Sequence, residues 1–70
     1  MEVNVGAAAL ERVIDVLPCM REPTIAPLYG NAGFAVKAAV PRSRLPIVIP
    51  EIKAKGGTDI VVTQLSQIIP

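Results

Sequence analysis

The chain contains no histidine and no tryptophan, and only one cysteine, one tyrosine and one phenylalanine among its seventy residues. Each scarcity removes a class of function. A single Cys19 cannot close an internal disulfide. With no histidine and no second cysteine, the usual ligand sets for a structural or catalytic metal are missing. A free cysteine without a secretion signal suits a reducing compartment, so a cytoplasmic location is expected. Surface aromatics on which bases stack are lacking, and seven Lys+Arg against six Asp+Glu leave a net charge of +1. Nucleic acid is therefore not an expected partner. No apolar run approaches the roughly twenty residues of a membrane span, so no membrane partner is expected either. No nucleophile, base and orienter set is present, which argues against an independent small enzyme and against a cofactor of its own.

What is present is aliphatic. Apolar residues make up 51% of the chain, and mean hydropathy is +0.50. Seventy residues make a single domain, near the lower size limit for a self-sufficient core. Small side chains bury modest area, so such a domain is expected to present apolar surface that a second copy or a larger chain covers.

Glu2-Val3-Asn4-Val5 reads as a short strand, with Val3 and Val5 on one face. Ala7 to Leu17 reads as a helix whose stripe is Leu10, Val13, Ile14 and Leu17; Pro18 ends it. Three prolines, Pro18, Pro23 and Pro27, then stiffen a connection within ten residues. Thr24 to Leu28 reads as a second strand, and Pro27 confines it to a sheet edge because proline donates no ladder hydrogen bond. Tyr29 to Gly33 is turn chemistry. Phe34 to Val40 alternates as a third strand, with Ala35, Lys37 and Ala39 on the face away from Phe34 and Val36. A second helix follows, with Ser43 as N-cap, a stripe of Leu45, Val48, Ile49 and Ile52, and Pro50 as a source of kinking. Gly56-Gly57 ends it, and Ile60 to Thr63 reads as the last strand. Gln64 to Pro70 reads as a turn and an apolar tail.

The order β-α-β-β-α-β, with right-handed crossovers, predicts an α+β ferredoxin-like plait spanning residues 1–70, its antiparallel sheet ordered 4-1-3-2. Strand two is then an edge, in agreement with Pro27. Both helices would cover one sheet face and leave the other, lined by small residues, open. The fold does not fix the function. A heavy-metal chaperone needs paired cysteines in the first loop, and an acylphosphatase-like enzyme an arginine-bearing phosphate loop; Gly6-Ala7-Ala8 is neither. An effector-binding regulatory domain needs only shaped loops and backbone groups, and remains.

The segments Leu17-Pro18-Cys19-Met20-Arg21-Glu22-Pro23-Thr24 and Ile25-Ala26-Pro27-Leu28 carry a family resemblance. It continues through Ala35 to Pro41, Val48 to Lys53 and Gly56 to Val62. The chain resembles the C-terminal regulatory domain of long-form ATP phosphoribosyltransferase, the first enzyme of histidine biosynthesis. The resemblance implies a domain that binds L-histidine as a feedback effector between regulatory domains, in trimer-like contacts within a hexamer. Catalysis, with its Mg2+, belongs to the family's catalytic domains, which are absent from this chain and would be its partners. The chain by itself is expected to be non-catalytic.

Carried over residue by residue, the resemblance implies an effector pocket of Asn4, Met20, Glu22, Thr24, Ala39 and Asp59. Asn4 stands at the end of strand one, where the family often places an acidic residue that meets the imidazole. Thr24 offers a hydroxyl and Glu22 a carboxylate for the ammonium, and Asp59 replaces what is often a small residue. The residues alone leave plainer readings open: Thr24 as a β-branched strand opener, Glu22 as a solvated loop charge, Met20 as packing, Asn4 as a cap for the strand–helix turn. A purely structural oligomerisation module without a ligand is the competing expectation.

Overall fold

A computed structural model describes residues 1–17, 22–64 and 69. Four strands, β1 (Glu2–Val5), β2 (Thr24–Pro27), β3 (Phe34–Lys37) and β4 (Thr58–Val61), alternate with helices α1 (Leu10–Asp15) and α2 (Leu45–Ala54) in the order β1-α1-β2-β3-α2-β4. They form one sheet ordered β2-β3-β1-β4, with β1–β3, β1–β4 and β2–β3 all antiparallel. This is the expected α+β ferredoxin-like plait. Pro27 lies on an edge strand, opposite Phe34.

Register follows the side-chain period of two. Val3 faces Val36 and Val5 faces Phe34 across β1–β3. Val3, Val5 and Val36 are buried, and they meet Ala9 and Val13 from the first helical segment and Val48 and Ile52 from α2. Val13 and Ile52 are fully inaccessible. The core is thus built from valine, isoleucine and alanine; Phe34 is only half-buried against its margin. No buried polar or charged side chain interrupts it among the described residues.

The helix ends show where local chemistry overrides pattern. The first helical segment is shorter than the Ala7 to Leu17 expected. It opens as a 3-10 turn over Ala7–Ala9, where the Ala9 amide donates to the Gly6 carbonyl at 3.0 Å and no side chain caps the turn. α1 ends at Asp15, and the amides of Val16 and Leu17 close it on the carbonyls of Val13 and Ile14. Three alanines after Gly6 offer no capping oxygen, so the tighter turn satisfies the free amides instead. Ser43 is not the N-cap of α2. It sits inside a 3-10 turn, Arg42–Arg44, and makes no capping hydrogen bond; the chain enters α2 from Arg44, with Pro46 in the first turn. α2 runs on through Pro50 to Ala54.

At its far end α2 closes as expected on Gly56-Gly57. The Gly57 amide donates to the Ile52 carbonyl at 2.8 Å and the Gly56 amide to the Lys53 carbonyl at 3.2 Å, with Gly56 at φ +108°. That pair of bonds is the Schellman motif, for which a residue without a Cβ suits the positive φ.

Two strand boundaries also differ. β3 stops at Lys37 rather than reaching Val40, although the Ala38 amide still donates to the Met1 carbonyl at 2.9 Å. β4 begins at Thr58, two residues before the expected Ile60, and ends at Val61. The β2–β3 hairpin turns through Tyr29–Asn31 with Gly30 at φ +72° and Asn31 at φ +60°. The Leu28 amide closes it on the Gly33 carbonyl at 2.8 Å. The Cys19 and Met20 part of the proline-rich connection, and the Leu65 to Ile68 part of the expected tail, lie outside the described residues.

Candidate functional site

Residues opposite Val3, Val36 and Val5 in the pleat point away from the helices. Register assigns two rows to this second face. One row is Thr24, Lys37, Glu2 and Val61; the other is Ala26, Ala35, Asn4 and Thr58. Most of these side chains are exposed, and Ala35 and Asn4 are half-buried. Neither helix covers this face, because both supply their buried residues to the core on the other side.

The face has a local irregularity where β1 meets β4. Glu2 is opposite Val61 and Asn4 is opposite Thr58, so two residues of β4, Asp59 and Ile60, stand against the single Val3. This is a β-bulge. It turns Ile60 inward, where it packs against the core, and puts Asp59 at φ +51°. Aspartate is among the few residues that adopt this left-handed conformation without a large penalty. The result brings three polar side chains together. Asn4 Nδ2 donates to Asp59 Oδ2 at 3.4 Å. The Thr58 hydroxyl lies 3.3 Å from the Asn4 carbonyl oxygen and 3.5 Å from Asp59 Oδ2, both acceptors within its reach. These are long, solvent-exposed bonds, weak individually and easily exchanged for a ligand's.

Beside the same face, past the end of β3, lies a shallow hollow of about 380 Å3 lined by Met1, Glu2, Lys37, Ala38, Ala39 and Thr63. Glu2 and Lys37 are a directly opposed cross-strand pair, so opposite charges stand side by side at its rim.

The six residues expected at a pocket fall out as follows. Asn4 and Asp59 converge in one hydrogen-bonded pair. Thr24 shares their sheet face but sits on the opposite edge strand, with β3 and β1 between it and β4. At ordinary strand spacing that separation is about 14 Å across the sheet. Glu22 is exposed in the connection just before β2, and Ala39 is half-buried in the hollow. Met20 lies outside the described residues. Two participants were not anticipated: Thr58, which ties Asn4 to β4 through its hydroxyl, and the Glu2–Lys37 pair. The period-two pattern of β1 and β3 already put Glu2, Asn4 and Lys37 on one side. Thr58 was hidden because the last strand was expected to begin after it.

Among the described residues no group of three His, Cys, Asp or Glu side chains is placed to hold a metal ion, and no helix is long and apolar enough to cross a membrane.

Fold and face together define the class: a ferredoxin-like plait domain with one helix-covered sheet face and one polar-centred face that no helix covers among the described residues. Comparison with known proteins narrows this. The family model described as HisG, C-terminal domain, matches residues 1–67, and the chain belongs to that family. It is 36% identical over 69 residues to an ATP phosphoribosyltransferase of Desulfosudis oleivorans, covering 99% of this chain and 24% of the relative. It is 39% identical over 67 residues to the enzyme of the same name from Pyrobaculum calidifontis, covering 96% of this chain and 24% of the relative. A third relative of that name, from Natronomonas pharaonis, is 35% identical over 68 residues, again 24% of its length. The chain spans about a quarter of the length of these curated relatives.

Proposed function

We propose that this chain is the regulatory domain of an ATP phosphoribosyltransferase of histidine biosynthesis, and that it binds L-histidine as a feedback effector on its open sheet face. The observation that carries the reading is the match of nearly the whole chain to the C-terminal domain of a family whose relatives bear that enzyme's name. The face supports it. It offers hydrogen-bonding groups at Asn4, Thr58 and Asp59 beside the small side chains of Ala26 and Ala35. The catalytic work, with its Mg2+, belongs to the parts of the relatives outside the match, and the setting is the cytoplasm.

Inhibition at a distance requires that histidine bind one arrangement of the assembly better than another, because only differential affinity shifts a population. A face shared between copies of this domain is where such an arrangement would be read. The test is a calorimetric titration of the chain with L-histidine, at a concentration where sedimentation has fixed its oligomeric state. Saturable binding that D-histidine fails to reproduce is expected.

A second reading, a structural oligomerisation module without a ligand, is favoured by the aliphatic side chains left in solvent: Ile25, Ile47, Val61 and Val62 are each 41–61% exposed. In that case assembly proceeds equally with and without histidine, and the titration is silent.

A further inference from the structure

The second helix, α2, is apolar on almost every side. Between Leu45 and Ala54 only Glu51 and Lys53 are polar. Val48 and Ile52 enter the core, with Leu45 and Ile49 half-buried beside them. Pro46, Ile47, Pro50 and Ala54 face solvent, Ile47 at 61% exposure. At 3.6 residues per turn these four fall within about 100° of arc, on the side opposite Val48 and Ile52. A helix that serves one core carries polar residues on its far side. Here the far side is a second apolar stripe. It includes Pro50, which forgoes a helix hydrogen bond at a position where water alone would favour a charged helix former. Pro46, Pro50 and Ala54, spaced i, i+4, i+8, make one ridge of the kind that packs into the groove of another helix.

Charge selects the occupant. Arg44 and Lys55 flank the stripe on one side, with Glu51 between them, and Lys53 flanks it on the other; all four are exposed. A second copy docked through α2 sets cations against cations. Antiparallel helices bring the Arg44 end of each to the Lys55 end of the other, and parallel helices bring each cation to its own counterpart. The first helix of a second copy exposes Glu11 and Asp15, but its remaining apolar side chains, Leu10 and Ile14, are half-buried in their own domain. It offers charge without an exposed apolar row.

We infer that the outer stripe of α2 is a docking surface for a partner helix of different sequence, apolar along one side and lined with carboxylates on its margins. Pro46, Ile47, Pro50 and Ala54 bury the apolar side. Arg44, Lys53 and Lys55 meet the carboxylates and set partner choice more than affinity. The stripe lies on the helix side of the sheet, away from Asn4, Thr58 and Asp59, so the inference stands independently of the histidine reading.

The probe is a designed helical peptide of about 20 residues, with leucine along one side and glutamate on both margins. It is titrated into isotope-labelled chain while the backbone amides are followed. Matched peptides with glutamine or lysine on the margins are the controls. Saturable shifts are expected at Ile47, Glu51, Lys53 and Ala54, with Asn4 and Ala35 unmoved, and affinity should fall as salt rises. The glutamine peptide should bind about threefold to tenfold more weakly, as a few exposed ion pairs allow, and the lysine peptide more weakly still. Ile47→Asp should abolish the shifts with circular dichroism unchanged. Arg44→Glu combined with Lys53→Glu should reverse the preference, so that the lysine peptide binds better than the glutamate one. Binding that ignores the charge on the margins, an Ile47→Asp chain that binds as the parent does, or no shift at the highest soluble peptide concentration overturns the inference. So does self-association of the chain in sedimentation with shifts of the α2 amides on dilution, which assigns the stripe to a second copy.

Discussion

Gly57 gives the sharpest stability prediction. It follows the Schellman turn of α2 and is buried. A Cβ placed there would run into Cγ2 of Ile52 and would stand 2.9 Å from Cγ2 of Val3 and 3.1 Å from the Ile52 carbonyl oxygen. Ile52 and Val3 are 0% and 1% exposed. Neither methyl is the far end of a flexible chain, because both branch directly from a Cβ, and neither has solvent to move into. Gly57→Ala therefore overpacks the junction of α2 with β1, at a cost of about 2–3 kcal/mol. A domain of this length has a total stability of about 3.5–10 kcal/mol, so the loss is a large share of it. It corresponds to a fall in Tm of about 8–24 °C at roughly 4–8 °C per kcal/mol. The control is Gly6→Ala. Gly6 has φ −71° and ψ 157°, ordinary for alanine, and a Cβ there meets nothing within 4 Å. That change should be neutral or stabilise by up to about 1 kcal/mol through the unfolded chain. With no tryptophan in the chain, far-UV circular dichroism under urea and heat is the assay. Equal stability of the two variants would refute the packing argument.

Other outcomes follow from the same structure. Gly33→Ala combines φ +129° with a Cβ only 2.5 Å from the Val5 carbonyl oxygen, backbone that cannot yield cheaply; it should destabilise by more than about 2 kcal/mol and broaden amide resonances of the β2–β3 hairpin. Ile52→Ala, at the fully buried centre of the core, should cost about 2–5 kcal/mol in urea unfolding, whereas Ile47→Ala, at 61% exposure, should stay within about 0.5 kcal/mol. Thr24→Ala should leave stability within about 1 kcal/mol and weaken L-histidine binding a few-fold if its hydroxyl meets the ligand; unchanged affinity in calorimetry removes Thr24 from the site.

The topology was legible because independent rules agreed. Pro27 demanded an edge, and the plait places its second strand there. Val3, Val5 and Val36 alternated cleanly, and Gly56-Gly57 announced the end of α2. What the sequence concealed was governed by geometry between distant residues. Thr58 follows two glycines and precedes the expected last strand, yet β1 recruits it into β4 by pairing Asn4 with Thr58. The bulge has no local signature either, since aspartate rather than glycine occupies its left-handed position. Ser43 looked like a cap but lies within the 3-10 turn before α2 and makes no capping hydrogen bond. For the candidate site, Asn4 and Asp59 came from the family resemblance rather than from any local pattern. Their meeting across 55 residues of sequence was not legible. Nor was the separation of Thr24 from them, which is set by strand order rather than by residue type.

The most direct test of the central claim is to follow the backbone amide resonances of isotope-labelled chain as L-histidine is added. Saturable shifts are expected on the sheet face away from the helices, at Asn4, Ala35, Thr58 and Asp59, with the core amides of Val13 and Ile52 little changed. Absence of any shift at saturating histidine, or shifts confined to the exposed surface of α2 around Ile47, would contradict that claim.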